Sequence, residues 1–428
     1  MLHDGKSNRV AIIGGVRIPF CRAHTRYVGR SNQDMMTATL SALVQQYDLK
    51  NQVLGDVALG AVIKHSSDWN LARESVLGSG LSPRTPGVDL QRACGTSIEA
   101  CIQIGNKIAL GQIEAGIAGG TDSISDAPIV YPDDYRAILM ESFRGRSFGE
   151  KVKPWLRLRP RHFKPKLPGV VEPRTGMSMG ESTELTAKEF DVSREHQDQL
   201  ALASHQKAAA AYTAGFYDGL VVPYEDVERD NNIRPDTTYE KLAALKPVFD
   251  KSGTGTMTAG NSTPLTDGAA AVLLSSEEWA RQKNLPVSAW LSYCKVSAVD
   301  FVDRDGLLMA PAFAVSDMLK TADLTLQDFD FYEIHEAFAA QTLATLKAWQ
   351  SETFCRERLG RQAAMGPIDL SRLNVKGGSL AIGHPFAATG ARVIATMAKL
   401  LHENGSGRGL VSVCTAGGMG VTAILEAA

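Results

Sequence analysis

The fold is decided by a strand–turn–helix stretch at residues 87–110, which reads GVDLQRACGTSIEACIQIGNKIAL. Residues 87–90 have an extended pattern, and apolar side chains recur at helical spacing from 97 to 110. We therefore expect Cys94 at the N-terminus of a helix, where free backbone N–H groups and about half a positive charge favour thiolate over thiol. Such a cysteine is a candidate nucleophile. The alternative is a small buried apolar side chain, which is our interpretation of Cys101 on the same helix.

A second glycine-rich turn lies at residues 373–390, LNVKGGSLAIGHPFAATG, and leads into an apolar helix predicted at 391–401. His384 stands between Gly383 and Pro385, so we expect it on irregular backbone rather than on a packed helix face. Imidazole is the side chain best suited to take a thiol proton near neutral pH. His384 is therefore a candidate base, the alternative being a histidine that fills the core.

A third motif, GLVSVCTAGGMG at residues 409–420, places Cys414 at the end of an apolar strand and before a run of glycines. Glycines let the backbone approach a substrate closely and direct N–H groups at a developing oxyanion. Cys414 is therefore a candidate general acid or base.

The two halves of the chain share one order of elements. In the first half, the helix after the Cys94 turn is followed by a strand at 113–118, which the glycine pair 119–120 ends. In the second half, the helix after the His384 turn is followed by a strand at 410–413. This alternation indicates an α/β fold. Two copies of one unit would face each other and bring the histidine and both motif cysteines together.

The composition is that of a globular protein. The 428 residues are 44% hydrophobic and 21% charged, enough for two or three domains, and a net charge of −2 gives no general attraction to nucleic acid or anionic membrane. The six cysteines include no C-x-x-C pair, which argues against a zinc site and a disulfide framework and favours a reducing compartment. Residues 1–9 lack the apolar stretch of a signal peptide, and no later window is apolar for long enough to span a bilayer. We expect a cytoplasmic protein without a metal site.

Four further blocks, together with the three motifs, carry a resemblance to a known family. The chain resembles the thiolases, which are acetyl-CoA acyltransferases, over nearly its whole length. Residues 10–20 are similar to the family's opening strand and Arg-Thr-Pro-Phe turn, 191–198 and 204–208 to its middle helix, and 260–271 to its glycine-rich coenzyme A segment.

The resemblance implies a fold and a domain plan. The thiolase fold has two similar mixed-sheet α/β halves in a five-layer αβαβα sandwich, with an inserted loop domain. On this pattern the N-terminal core spans 1–128 and is completed by 250–286, the loop domain for coenzyme A and acyl binding spans 129–249, and the C-terminal core spans 287–428.

Carried over position by position, the resemblance assigns the chemistry. Cys94 is the nucleophile that accepts the acyl group. His384 activates Cys94 and also donates a hydrogen bond to an oxyanion, and Cys414 is the acid and base that transfers protons to and from the substrates. The thioester oxygen of an enolate accepts hydrogen bonds from His384 and from a water or side chain held at His335. The oxygen of the tetrahedral adduct accepts hydrogen bonds from the backbone N–H groups of Cys94 and Ala416. Ala416 stands where many members have glycine, and its N–H survives that change.

Four more residues match substrate-binding positions. Met179, within the block 177–184, is a candidate wall of the acyl pocket, the alternative being a core methionine near a helix start. By the same matching Ala259, Thr263 and Phe338 line the tunnel for the pantetheine arm of coenzyme A. Coenzyme A is a co-substrate in the family, and the resemblance implies no permanently bound cofactor.

His335 narrows the resemblance, because most thiolases carry asparagine at this position. Histidine there, together with residues 383–386, resembles the thiolases that form the β subunit of the fatty-acid-oxidation trifunctional complex. This implies cleavage of medium or long 3-ketoacyl-CoA by coenzyme A in β-oxidation, in a homodimer or a dimer of dimers, with a hydratase/dehydrogenase α subunit as a candidate partner. The alternatives are a biosynthetic acetoacetyl-CoA thiolase, which runs the Claisen condensation, and an inactive assembly subunit.

Residues 144–174, called the basic segment below, have an unusual charge pattern. Ten lysines and arginines stand there against Glu150 and Glu172, with aromatic residues and leucines interleaved. Such a pattern is typical of a surface that docks on a membrane or a partner subunit. The alternative is a solvated cover for the phosphates of coenzyme A. The basic residues are Arg144, Arg146, Lys151, Lys153, Arg157, Arg159, Arg161, Lys164, Lys166 and Arg174.

Overall fold

Buried apolar runs alternate with amphipathic segments along the chain and form its strands and helices. The computed structural model describes residues 7–166, 169 and 171–428; residues 1–6 and, in the basic segment, residues 167, 168 and 170 lie outside this description. The strands are β1 (Val10–Arg17), β2 (Cys21–Arg22), β3 (Asp56–Leu59), β4 (Val88–Asp89), β5 (Ala115–Asp122), β6 (Thr266–Ser276), β7 (Ala289–Ala298), β8 (Phe331–Ile334), β9 (Arg408–Thr415) and β10 (Met419–Ala427). The α-helices are α1 (Asn32–Gln46), α2 (Leu71–Gly78), α3 (Thr96–Ala109), α4 (Asp133–Arg144), α5 (Phe148–Val152), α6 (Met179–Glu189), α7 (Arg194–Thr213), α8 (Tyr239–Ala243), α9 (Glu277–Gln282), α10 (Ala310–Ala322), α11 (Ala339–Gln350), α12 (Glu352–Glu357), α13 (Ser379–Ile382) and α14 (Thr389–Asn404).

The sheet repeats one topology on either side of its middle. The strand order is β4-β3-β5-β6-β1-β7-β10-β9-β8, and β2 pairs with β6 outside this order. In the first half β3 and β5 are parallel, and β6 is antiparallel to both β5 and β1. In the second half β8 and β9 are parallel, and β10 is antiparallel to both β9 and β7. The two halves join through two residue pairs between β1 and β7, so the two predicted mixed sheets meet edge to edge.

The two faces of each half bury different side chains, as the alternation of a strand requires. In β1, Ile12 points into a central core that also contains α3 and α14, whereas Ile13 packs with α1 and α2. In β10, Ala423 points into the same central core, whereas Ile424 packs with α10 and α11. The layers are therefore helices, sheet, helices, sheet, helices. The predicted α/β class and five-layer sandwich are confirmed.

The two central helices meet at their N-terminal ends. The backbone N–H of Ala391 in α14 donates to the hydroxyl of Ser97 in α3 at 2.7 Å. Gly390 permits this approach, because a Cβ there would lie 2.6 Å from the backbone nitrogen of Ile98. The turns that precede α3 and α14, with Cys94 and His384, therefore lie side by side.

The strand predicted at 113–118 differs from the observed β5. The glycine pair that we took as its end lies inside β5, which continues to Asp122. A Cβ at Gly119 would lie 2.6 Å from the carbonyl oxygen of Ala270, and one at Gly120 would collide with the carbonyl of Ala387. Gly119 therefore serves close packing within the sheet, and Gly120 serves close packing of the sheet against the turn that follows His384.

The segment between β5 and β6 carries α4 to α8, and its described residues contribute no strand to the sheet. The division of the chain at 128, 249 and 286 stays a prediction. Within the described part of the chain, no helix combines the length and the apolar character that crossing a bilayer requires.

Candidate active site

The turn that carries Cys94 is tightly folded. Ala93 adopts a left-handed φ of 42°, and the hydroxyl of Thr96 donates to the Ala93 carbonyl at 2.6 Å. Gly95 is the N-cap of α3, and a Cβ there would lie 2.7 Å from the side chain of Val421 in β10. The turn, and Cys94 with it, is therefore pressed against the second half of the sheet.

His384 is fixed by two threonines. Its backbone N–H donates to the hydroxyl of Thr266 at 3.1 Å, and its Nδ1 lies 2.6 Å from the hydroxyl oxygen of Thr389 at the start of α14. Gly383 before it has a φ of 107°, a conformation that favours glycine. The other ring nitrogen, Nε2, lies 3.2 Å from the sulfur of Cys94. This contact joins two residues that are 290 positions apart in the sequence.

Burial keeps this pair neutral in the free protein. It lowers the pKa of His384 to about 3 and raises the pKa of the Cys94 thiol to about 12, although hydrogen bonds from the backbone amides of Ala416 and Cys94 lower the latter. Our expectation that the helix N-terminus would favour a thiolate is therefore wrong. Desolvation outweighs the helix terminus, so in the free protein Cys94 is a thiol that lies beside a neutral His384.

Cys414 lies in β9, next to the turn that leads into β10. It is 2% exposed, and burial raises its pKa well above the usual range, with the neighbouring Cys94 acting in the same direction. It packs with Leu307, Leu308 and Ala337. A cysteine in this setting is a neutral acid that gives up its proton only to a strong base close by.

His335 follows β8 and stacks obliquely beside His384, with the two ring centroids 4.1 Å apart. Its Nδ1 lies 2.8 Å from the hydroxyl oxygen of Ser379. Its Nε2 is buried and has no hydrogen-bond partner among the residues that the structure describes. Burial lowers the pKa of His335 well below its usual range, so the ring is neutral.

Comparison with known proteins places this site in a family. The model of the thiolase N-terminal domain matches residues 10–278, and that of the thiolase C-terminal domain matches residues 286–427. The chain belongs to the thiolase family. The resemblance seen in its sequence is thereby confirmed.

Individual relatives of this thiolase are similar over nearly their whole length. The 3-ketoacyl-CoA thiolases of Yersinia pestis and Yersinia pseudotuberculosis are each 42% identical over 427 residues, which is 98% of this chain and 97% of theirs. The crystal structure of the Bacillus anthracis acetyl-CoA acetyltransferase is 29% identical with a TM-score of 0.82, covering 99% of this chain and 100% of its own. The human mitochondrial 3-ketoacyl-CoA thiolase in complex with CoA is 28% identical with a TM-score of 0.81, covering 98% of each chain.

Two of the four residues that we matched to substrate binding, Met179 and Phe338, lie beside the cluster of Cys414. Both are half-buried and pack against the cluster that contains Cys414. Thr263 donates its backbone N–H and its hydroxyl to the carbonyl of Ala337 at 3.1 and 2.9 Å, beside Phe338. Ala259 is exposed in the loop before β6. Their roles towards coenzyme A and the acyl chain stay predictions.

Our reading of the sequence missed the residues that hold the two histidines of this thiolase. Ser379 and Thr389 stand five positions before and five positions after His384, in the same glycine-rich motif, and their hydroxyls contact His335 and His384 respectively. The sequence signal that could have predicted these partners is the pair of hydroxyl residues placed five positions on either side of the candidate base. Among the described residues, no group of three or more His, Cys, Asp or Glu is placed to hold a metal ion.

Proposed function

We propose that this protein is a 3-ketoacyl-CoA thiolase, which uses coenzyme A to cleave 3-ketoacyl-CoA to acetyl-CoA and a shortened acyl-CoA in fatty acid β-oxidation. The observation that carries the proposal is the 3.2 Å contact between Cys94 Sγ and His384 Nε2, with Cys414 adjacent. The 42% identity to 3-ketoacyl-CoA thiolases supports the choice of substrate class.

In the first half-reaction, the Cys94 proton moves to His384 Nε2 and the sulfur attacks the keto carbon. The backbone amides of Cys94 and Ala416, which lower the pKa of the Cys94 thiol, stabilise the tetrahedral oxyanion in this mechanism. The bond between C2 and C3 breaks, and its electron pair passes into the enolate of acetyl-CoA. Cys414 protonates C2, which leaves acyl-Cys94, a Cys414 thiolate and a protonated His384.

In the second half-reaction, the Cys414 thiolate takes the thiol proton of incoming coenzyme A. The resulting CoA thiolate attacks the thioester of acyl-Cys94 and forms a second tetrahedral adduct. Collapse of this adduct expels the sulfur of Cys94, which recovers its proton from His384. The three groups return to their neutral forms, in agreement with the raised thiol pKa values and the lowered histidine pKa.

The test is the detection of the acyl-enzyme by intact-protein mass spectrometry after addition of a 3-ketoacyl-CoA. We expect the mass of one acyl group on the wild type, none on Cys94→Ala, and an adduct on Cys414→Ser that forms slowly and hardly turns over. Cys294→Ala is the matched control, because this half-buried cysteine lies in the central core and in no proposed step. An adduct that survives Cys94→Ala would exclude Cys94 as the nucleophile, and equal loss of acylation in both site variants would contradict the division of labour.

A second candidate is the biosynthetic condensation of two acetyl-CoA molecules, since every step above is reversible. The similarity to an acetyl-CoA acetyltransferase favours this candidate. Turnover rates on acetoacetyl-CoA and on a long 3-ketoacyl-CoA separate the two. Faster turnover of the long substrate supports the degradative role, and activity on acetoacetyl-CoA alone supports the biosynthetic one. Absence of any acyl adduct would favour the inactive assembly subunit.

We further propose that the chain forms a homodimer or a dimer of dimers. We also propose that it binds a hydratase/dehydrogenase α subunit, because His335 matches the β-subunit type of thiolase. Light scattering on the purified chain gives the oligomeric state, and co-purification from the native host tests the α subunit.

We also propose a cytoplasmic location, because all six cysteines are free and the adjacent Cys94 and Cys414 must stay reduced. Cell fractionation tests this location.

The basic segment supports a further contact proposal, weak binding to an anionic lipid surface. Phe148 and Leu156 are 83% and 77% exposed there. Part of its charge is balanced by α4, since Arg157 pairs with Glu141 and Arg161 lies 3.3 Å from Asp134. Neutralising those two arginines would therefore disturb the fold of the segment. Phe148→Ser with Leu156→Ser is the cleaner variant, and equal co-sedimentation of wild type and variant with anionic vesicles would contradict the proposal.

A further inference from the structure

A buried relay of hydrogen bonds leads from an ion pair to His335. Arg392 in α14 and Glu333 in β8 form the pair at 3.4 Å, and each side chain is 1% exposed. Nη2 of Arg392 donates to the hydroxyl oxygen of Ser379 at 2.8 Å. The same oxygen lies 2.8 Å from Nδ1 of His335. Side chains from β8, α13 and α14 therefore form one chain of contacts that ends at this ring nitrogen.

The chemistry of the donors fixes the direction of each bond. A guanidinium group only donates hydrogen bonds, so the oxygen of Ser379 accepts from Arg392. In the described residues, the remaining hydrogen-bond partner of that oxygen is Nδ1 of His335. The hydroxyl proton therefore points at Nδ1, since a buried hydroxyl without an acceptor is costly. Nδ1 accepts, and a neutral imidazole then carries its proton on Nε2.

The other ring nitrogen of His335, Nε2, is buried and has no hydrogen-bond partner in the described part of the chain. A buried N–H without an acceptor is unfavourable, so the acceptor of this one comes with a ligand. The ring lies against His384, whose Nε2 contacts Cys94, and the chain continues from His335 to Ala337 in the cluster around Cys414. An oxygen bound near both cysteines is therefore the natural acceptor.

We infer, on the basis of the proposed thiolytic cleavage and of the place already expected for His335 at the enolate oxygen, that Ser379 and Arg392 are positioning residues. They fix the Nε2–H tautomer of His335 and thereby make its Nε2–H the donor to the thioester oxygen of the departing acetyl-CoA enolate. The adjacent His384 takes the opposite tautomer. Its Nδ1–H donates to Thr389, which leaves Nε2 free to accept the proton of Cys94. One histidine moves a proton and its neighbour donates a fixed hydrogen bond.

The two half-reactions separate this role from a structural one. The enolate exists only when the carbon–carbon bond breaks or forms. Exchange of an acyl group between acyl-CoA and labelled coenzyme A passes through acyl-Cys94 without an enolate. Ser379→Ala should therefore lower kcat for 3-ketoacyl-CoA cleavage by about tenfold to hundredfold, the effect of weakening one oxyanion donor, with little change in KM and in acyl exchange. A parallel loss in both assays would overturn the inference.

A double-mutant cycle tests whether Ser379 acts through His335. In the His335→Ala background, Ser379→Ala should cause no further loss of cleavage activity, whereas additive losses would overturn the inference. Ser412→Ala is the matched control. Its hydroxyl is on the neighbouring strand β9, is equally buried and has no hydrogen-bond partner in the described part of the chain. We expect unchanged cleavage in this variant.

A measurement on the wild type keeps the inference testable should the variants fold poorly. Nitrogen NMR of the enzyme with ring-labelled histidine, assigned by loss of one signal set in His335→Asn, reports which ring nitrogen of His335 carries the proton. A protonated Nε2 and an unprotonated Nδ1 support the inference, and the opposite tautomer overturns it. Absence of both cleavage and acyl-Cys94 in the wild type would instead overturn the proposed function, while the tautomer measurement would still stand.

Discussion

Thr389→Val tests how the Cys94 proton is taken up. Valine keeps the shape of this fully buried side chain and removes the hydroxyl that lies 2.6 Å from His384 Nδ1. The Nδ1–H of His384 then has no acceptor, which costs about 1 to 3 kcal/mol and favours the tautomer with the proton on Nε2. That tautomer cannot accept the proton of Cys94. Since about 1 to 3 kcal/mol corresponds to about 5-fold to 150-fold, we expect a rate loss in this range.

The assay is kcat for 3-ketoacyl-CoA cleavage together with acyl exchange between acyl-CoA and labelled coenzyme A. Both should fall together, because both require Cys94 to lose its proton. Thr39→Val is the matched control: Thr39 is equally buried, and its hydroxyl donates to the Met35 carbonyl within α1, in an outer layer. Its activity should match the wild type. An unchanged exchange rate in Thr389→Val would refute the assignment of His384 as the base.

Three further outcomes follow from burial and close packing. The rate of Cys94 alkylation by iodoacetamide should keep rising with pH beyond about 8.5, the pKa of an unperturbed cysteine, because burial raises the Cys94 pKa to about 12. A rate that reaches its plateau near or below about pH 8.5 would contradict this prediction. Gly390→Ala should destabilise the protein by about 1 to 3 kcal/mol in urea unfolding, because its Cβ would meet the backbone of Ile98, whereas Gly149→Ala, with open space around its Cβ, should not. On acidification below about pH 6.5, His384 takes up a proton in the unfolded chain but not in the folded chain, so the free energy of unfolding falls. Between about pH 7 and pH 5, His384→Asn should therefore lose less of this free energy than the wild type in urea unfolding.

The sequence was sufficient to predict the fold class, the internal repeat and the three motifs, because these depend on local periodicity and on glycine turns. The helix predicted at 97–110 is observed as α3, which begins at Thr96 and ends at Ala109. The end of β5 was missed at Gly119 and Gly120. A glycine that relieves a contact with a remote strand looks, in sequence, like a glycine that makes a turn.

The charge state of Cys94 was predicted wrongly for a related reason. The helix terminus acts locally and is visible in the sequence, whereas desolvation depends on the folded surroundings of the sulfur, which include His384 and Ala416 from the second half of the chain. The hydroxyl partners of His335 and His384 were missed because a side-chain hydrogen bond depends on distances that spacing does not give. In the basic segment, the counter-charges of Arg157 and Arg161 lie in α4, before the window in which the charges were counted.

The contact between Cys94 and His384 has a consequence for the biosynthesis of the chain. Cys94 is translated 290 residues before His384, so the growing polypeptide leaves the ribosome with an ordinary, weakly acidic thiol. His384 reaches Cys94 only when α14 docks against α3 and Gly390 packs on Ile98. On the proposed mechanism, nascent and truncated chains therefore lack reactivity towards thioesters, which begins once the central helix layer is complete.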